Sequence, residues 1–383
     1  MTIGSLYGDL AASGSIIAAS PWATWNGSLD GSTAIFRQDL VLGTCVTPLS
    51  SSSVIVTWED AALNDDIWAC VGTISGTTIT WGTPVTVSGA AVTGSLPQVV
   101  ALSSTSAMIA YADTTNNGIK AVVLSISGTT ITVNTIVSVT SNAIDTLSLT
   151  KLSSTAALLV FDGSTDKGKA VVLSVSGTTI TSNTAFQFNG SSNTAPQCVV
   201  SAISSTQALV VYSDSGNSSF STAQVLNISG TTVSGNTKYV FNSTASSIFQ
   251  ICAVSSTTFG LVYHNSADSG FTATQVLSVA GTVVTFGSAV RVINLVMQMG
   301  YAAITAADSQ SLFIFYRNVT NSLGIGVVGT ISGTAITLDT PVTVKSTVCS
   351  EMSVCAIGPT HTLYTFRDNG NSSKGTGKVS RAI

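Results

Sequence analysis

Carboxylates, imidazoles and thiols carry most protein chemistry, and this 383-residue chain is sparing with all three: 17 Asp plus Glu, 2 His and 6 Cys. Its glutamates are Glu59 and Glu351 alone. The densest acidic stretch is Trp58-Glu59-Asp60 with Asp65 and Asp66 nearby, which reads as one solvated loop. It lacks the ligand spacing of a calcium loop, so no metal site is expected. Glycosidic hydrolysis needs two carboxylates roughly 5–10 Å apart, and no spacing here pairs them. His264 and His361 fall in different repeats, neither in a Ser-His-Asp pattern. Cys45, Cys70, Cys198, Cys252, Cys349 and Cys355 form no CxxC pair and read as small buried apolar residues. No catalytic residue and no cofactor is expected. Lys plus Arg total 13 without a cluster, against a net charge of −4, which argues against nucleic-acid binding. No apolar run approaches the ~18 residues of a membrane span. The N-terminal stretch has no Lys or Arg ahead of its apolar part and makes a poor secretory signal.

One polar constellation does recur. An aromatic residue followed, usually after one residue, by Asp or Asn is found at Trp58–Asp60, Tyr111–Asp113, Phe161–Asp162, Tyr212–Asp214, Tyr263–Asn265, Tyr316–Asn318 and Phe366–Asp368. Asp and Asn at a strand end bond nearby backbone amides and stabilise turns. The same seven side chains, arranged on one face, could instead contact a ligand.

The elements that hold these residues show in a second repeat. Ser-Gly-Thr-like turns place Gly76, Gly128, Gly177, Gly230, Gly281 and Gly333 at spacings of 52, 49, 53, 51 and 52 residues. A period near ~50 suggests a propeller or a repeat array. Residues 97–103, 106–113, 120–127 and 130–139 read as four strands joined by short Gly/Asn/Ser connections, which is one propeller blade. Charged residues are only 8% of the chain, and Ser, Thr and Asn take the polar positions, as suits exposed sheet faces.

There are seven aromatic motifs and six turns. The final repeat holds three strands and then stops, while residues 32–43 form an extended segment without partners of their own. The expectation is an all-β, seven-bladed β-propeller of four-stranded antiparallel blades over residues 32–383, closed by that N-terminal strand completing the last blade. Residues 1–31 are expected to form an arm outside the ring. Its Trp22 and Trp25 serve either to pack the arm on the ring or to anchor it in a larger assembly.

The segment "VVYSDSGNSSFSTAQVLNISGTTVSGNTKYVFNS" (210–243), with "YTFRDNGNSSKGTGKV" (364–379), resembles a repeat of bacteriophage tail-fibre and other virion proteins. Asn replaces Asp at Asn265 and Asn318, and the Gly-Asn-Ser part is degraded in several repeats. The resemblance implies a non-enzymatic virion structural protein of the tail or capsid surface, present in multiple copies per particle. Its partners would be other virion proteins and a host-surface glycan or protein. It transfers no catalytic residue. The alternative is a secreted bacterial lectin-like or adhesive β-propeller, with a glycan-active propeller enzyme behind both. No insertion between strands is long enough to form a lid, which favours a shallow binding surface.

Overall fold

The structure, a computed structural model, describes residues 20–382 apart from 90–93, 143, 164–166, 190–196, 266–267, 269–270, 294–301 and 319. It is all-β and propeller-like, built of antiparallel sheets. One unit shows the rule. Gly94–Ser103 pairs with Ser106–Asp113, which pairs with Gly118–Ser127, and a turn at Gly128 and Thr129 leads into Thr130–Val133. Each turn glycine has positive φ, between 58° and 63°. Positive φ at the first central position of a two-residue hairpin is the II′ geometry, for which Gly is suited.

The second strand of each unit is buried on both faces, because a neighbouring sheet covers each side. Its sequence is accordingly a continuous apolar run: Ala107–Ala112 and Ala208–Tyr212 are buried without interruption. The fourth strand, expected as one piece over 130–139, is split. At Asn134 the chain steps aside, and Val137–Thr140 pairs with the other end of Gly118–Ser127.

Four sheets stand alone, over residues 94–140, 146–187, 198–245 and 247–293, with five, five, four and five strands. The rest forms one twelve-stranded sheet. The expected seven separate four-stranded sheets are therefore not what the pairing gives. The cause is two 17-residue strands, Ala34–Ser50 and Val342–Gly358, each of which serves two neighbours. The first pairs through residues 34–40 with Lys374–Arg381 and through 41–50 with Ser53–Asp60. The second pairs through 342–348 with Leu323–Ser332 and through 349–358 with His361–Asp368. In both, three exposed residues (38–40 and 346–348) precede the change of partner.

The first strand of every set packs on the next. Ala34–Ser50 lies against Gly94–Ser103, and contacts continue through Thr146–Ser153, Cys198–Ala202, Ser247–Ala253, Ala302–Asp308 and Val342–Gly358 back to Ala34–Ser50. Side chains satisfy edge amides across these contacts. Ser148 Oγ accepts from Val200 N (3.2 Å), Thr150 Oγ1 from Ala202 N (3.1 Å), Thr305 Oγ1 from Ala356 N (3.2 Å) and Ser353 Oγ from Val46 N (3.1 Å). Unpaired strand edges invite pairing with other chains, and here the neighbouring hydroxyls occupy them. Among the described residues the apolar core falls into seven clusters, each drawn from two successive strand sets.

Candidate functional site

The seven recurring aromatics are buried, none more than 3% exposed. They end the second strands, so the Asp or Asn that follows sits at the mouth of the connection to the third strand. Asp60, Asp113, Asp162, Asp214, Asn265 and Asp368 are buried and Asn318 is half-buried. In three of them an oxygen bonds the backbone of the connection. Asp60 Oδ1 accepts from Ala62 N (3.2 Å), Asp113 Oδ1 from Thr115 N and Asn116 N (3.1 and 3.0 Å), and Asn318 Oδ1 from Thr320 N (3.0 Å).

Four of the five acidic members also hold cations. Arg37 Nε lies 2.6 Å from Asp60, Lys345 Nζ 2.6 Å from Asp368, Lys238 Nζ 3.2 Å from Asp214 and Lys120 Nζ 3.6 Å from Asp113. Two of these cations also sit over the motif's own aromatic ring: Lys238 over Tyr212 at 5.6 Å and Lys345 over Phe366 at 5.8 Å. Arg37 lies 5.6 Å over Trp68, the strand partner of Trp58. The aromatic and the carboxylate thus form one seat for a cation. Arg37 and Lys345 come from the leading halves of the two 17-residue strands and reach the strand set that follows. Where the motif carries Asn, the partner changes: Asn265 Oδ1 accepts from Asn242 Nδ2 at 2.7 Å. Burial raises the Asp60 carboxyl against the lowering effect of Arg37. Burial also acts on Asp113, but bonds from Asn116, the Lys120 charge and Thr115 N–H outweigh it and hold its carboxyl below the usual range.

Trp22 and Trp25 pack inside the molecule. Trp22 is fully buried, donates from Nε1 to Pro359 O (2.9 Å), and lies 5.7 Å from the Phe313 ring. Trp25 meets Phe313 edge-on at 5.1 Å and donates to Asp30. Asp30, which the sequence pattern did not single out, also pairs with Lys378 Nζ at 3.2 Å and accepts from Tyr364 Oη at 3.3 Å. The expected arm over 1–31 is therefore described only in its last part, where it fills a junction of the core; residues 1–19 lie outside the described residues.

The acidic stretch does not lie in one loop. Glu59 and Asp60 end a strand, Asp66 begins the next, and only residues 61–65 connect them. Burial, with Asp65 and Glu351 nearby, raises Glu59 to about 7. The chain's two glutamates thus share one region, although the Glu351 carboxylate is engaged by Gly43 N–H (3.1 Å). Among the described residues no group of three or more His, Cys, Asp or Glu is arranged to hold a metal ion. Burial lowers both His264 and His361, the latter helped by Arg381. Burial raises every thiol; Cys70, Cys198, Cys252 and Cys349 reach about 12, which keeps them protonated and poorly nucleophilic.

A concavity lies elsewhere, at the junction of the 146–187 and 198–245 sheets. It is a shallow groove of about 600 Å³, with Ser182, Asn183, Thr184 and Phe186 on one side and Thr231 and Thr232 on the other. No charged side chain lines it. Asn183 Nδ2 reaches across to Thr231 Oγ1. Thr231 belongs to a Ser-Gly-Thr turn, so the second recurring motif meets the preceding sheet here. The signal for this site was present in the chain as an Asn-Thr pair a few residues after the Ser-Gly-Thr turn, at 134–135, 183–184 and 236–237.

These features define a β-propeller class of protein. No protein-family model and no curated protein sequence matches the chain. Solved structures do match in fold. The lectin BP39L from Burkholderia pseudomallei superposes with TM-score 0.67 at 9% identity, over 91% of this chain and 97% of that one. The Aleuria aurantia lectin, in complex with a fucosyl-N-acetylglucosamine, matches with TM-score 0.51 at 11% identity, over 81% and 98%. A sialidase, Hadza microbial sialidase Hz136, matches with TM-score 0.53 at 12% identity, over 91% and 68%. At these identities the likeness is one of fold.

Proposed function

We propose that the protein is a non-enzymatic, carbohydrate-binding β-propeller of seven blades that works as a lectin-like or adhesive module. The observation that carries the function is the uncharged groove between Ser182–Phe186 and Thr231–Thr232. Short hydroxyl and amide side chains match the hydroxyls of a sugar, and a half-buried aromatic ring offers an apolar wall to its C–H face. Its volume is within the range of small-ligand sites. That two of the matching folds are lectins supports the same direction.

Seven blades follow if the twelve-stranded sheet is three blades fused through Ala34–Ser50 and Val342–Gly358. The seven junction clusters and the return of strand contacts from Val342–Gly358 to Ala34–Ser50 support a ring closed by residues 34–40. Deleting residues 1–40 then lowers the unfolding midpoint sharply or drives oligomerisation; an unchanged midpoint sinks the closure.

A glycan array probed with the full chain tests the function. Saturable binding to a saccharide that survives intact is the expected result. Release of cleaved sugar would replace the module with an enzyme, with Glu59 as the first acid to substitute. A virion placement is a second reading, favoured by the repeat pattern of residues 210–243. Immunogold labelling of phage particles tests it, and bare particles beside labelled cell envelopes would assign the surface to a secreted adhesin.

A further inference from the structure

We infer that each chain carries one principal saccharide site, at the 146–187/198–245 junction, and that it takes a neutral sugar. This rests on the carbohydrate-binding reading above. A repeat protein would be expected to repeat its site, and the equivalent positions show why this one does not. Residues 31, 82, 134, 183, 236 and 287 each precede a Ser-Gly-Thr turn of the next unit, whose first Thr is Thr77, Thr129, Thr178, Thr231, Thr282 or Thr334. At three junctions the residue is Gly, and the turn packs flush against it. A Cβ on Gly31 would stand 2.0 Å from Thr77 O, on Gly82 2.7 Å from Thr129 Cβ, and on Gly287 1.8 Å from Thr334 O. Nothing the size of a sugar enters there.

At two junctions the residue is Asn, but its amide folds back onto its own sheet. Asn134 Nδ2 donates to Val123 O (2.8 Å) and Ser125 Oγ (3.0 Å), and Asn236 Nδ2 donates to Val225 O (3.0 Å) while its Oδ1 accepts from Asn227 (3.2 Å). Asn183 alone of the three reaches outward to the turn of the neighbouring unit. A second local feature opens the same junction. The residue before this position is Asp30, Trp81, Val133, Ser182 or Phe286 in the other units and Gly235 in the 198–245 sheet. The Phe186 ring lies over Gly235, where an added Cβ would come within 3.2 Å of it. The missing side chain leaves room for the ring to lie against Gly235 and wall the groove. With no Lys or Arg in the lining, the site offers no counter-charge to a carboxylate, so a neutral pyranose fits and a sialic acid does not.

The test is isothermal titration of the full chain with methyl pyranosides of galactose, glucose, mannose and fucose and with N-acetylglucosamine, alongside N-acetylneuraminic acid. At least one neutral sugar is expected to bind at one equivalent per chain, and the anionic sugar not at all. Asn183→Ala, Phe186→Ala and Thr231→Ala each weaken binding at least tenfold with the melting curve retained, while Asn134→Ala and Asn236→Ala change it less than twofold. Several equivalents per chain, or full affinity in all three groove variants, would overturn the single site and leave the carbohydrate function standing. If no sugar binds, the carbohydrate reading itself fails, and the site with it.

Discussion

The molecule repeats two motifs, and they do opposite work. The aromatic–Asp ends turn inward: the carboxylates of Asp60, Asp113, Asp214 and Asp368 are buried and matched to Arg37, Lys120, Lys238 and Lys345. The Ser-Gly-Thr turns face outward: their glycines stand in open space, and Thr77, Thr129, Thr231 and Thr334 meet the segment before them. The first motif stabilises strand ends. The second packs neighbours together at Gly31, Gly82 and Gly287, and leaves a groove beside Thr231. Recurrence alone therefore does not mark a binding ring. A residue kept for its own sheet and a residue kept for the next sheet recur at the same period.

The strongest way to break this comparison is to remove a buried anion. Asp60→Ala strands the Arg37 guanidinium, which is 18% exposed and keeps a 2.9 Å contact with Asp39. Removing one member of a buried pair costs about 3 kcal/mol, at the low end here because Arg37 can reach water. Urea unfolding of the variant reads this directly, and a loss below about 1 kcal/mol would mean the inward motif is not a stabilising seat.

Glycine substitutions separate the two sides of the turn motif. Gly287→Ala puts a Cβ 1.8 Å from a backbone oxygen of the neighbouring sheet, which must move; overpacking of this kind costs about 2 kcal/mol. Gly128→Ala meets no atom within 4 Å and costs only the left-handed backbone at φ +58°, about 1 kcal/mol. Equal losses measured by thermal unfolding would show that the turns do not press on the sheet before them. Asp113→Asn is comparably mild. The amide oxygen still accepts from the N–H groups of Thr115 and Asn116, while the 3.6 Å contact with half-buried Lys120 and the 3.0 Å bond from Asn116 Nδ2 are both lost, about 1 kcal/mol together.

The period, the positive-φ glycines and the buried aromatics were legible because each is a local demand: a turn needs its Gly, and a sandwiched strand needs a continuous apolar run. The 17-residue strands were not, since "AIFRQDLVLGTCVTPLS" carries no mark at residues 38–40 except three exposed positions that also fit a loop. The cation seats were half legible. Asp60 and Asp368 were visible, but Arg37 and Lys345 are supplied by the preceding strand set. The groove shows the same limit. Asn134, Asn183 and Asn236 stand in the same Asn-Thr pair, and which way each amide turns is decided by residues on other strands, Ser125 and Asn227 holding two of them at home.

A pH dependence sets the two kinds of acid against each other. Glu59 is raised by burial and by Asp65 and Glu351 to about 7 from 4.5, so the folded chain binds a proton there that the unfolded chain releases. Stability gained in this way is present in full below about pH 4.5 and is lost as pH rises through about 7. Asp113 has the opposite sign. Its carboxyl is held below 3.8, so its contribution is present above that pH and lost in stronger acid. Between about pH 5 and about pH 8 Asp113 is silent and Glu59 titrates. Glu59→Gln fixes the uncharged form, so the variant is expected to match the parent near pH 5 and to exceed it in melting temperature near pH 8. A constant difference between the two across that interval would mean that Glu59 is not the group that links folding to the proton.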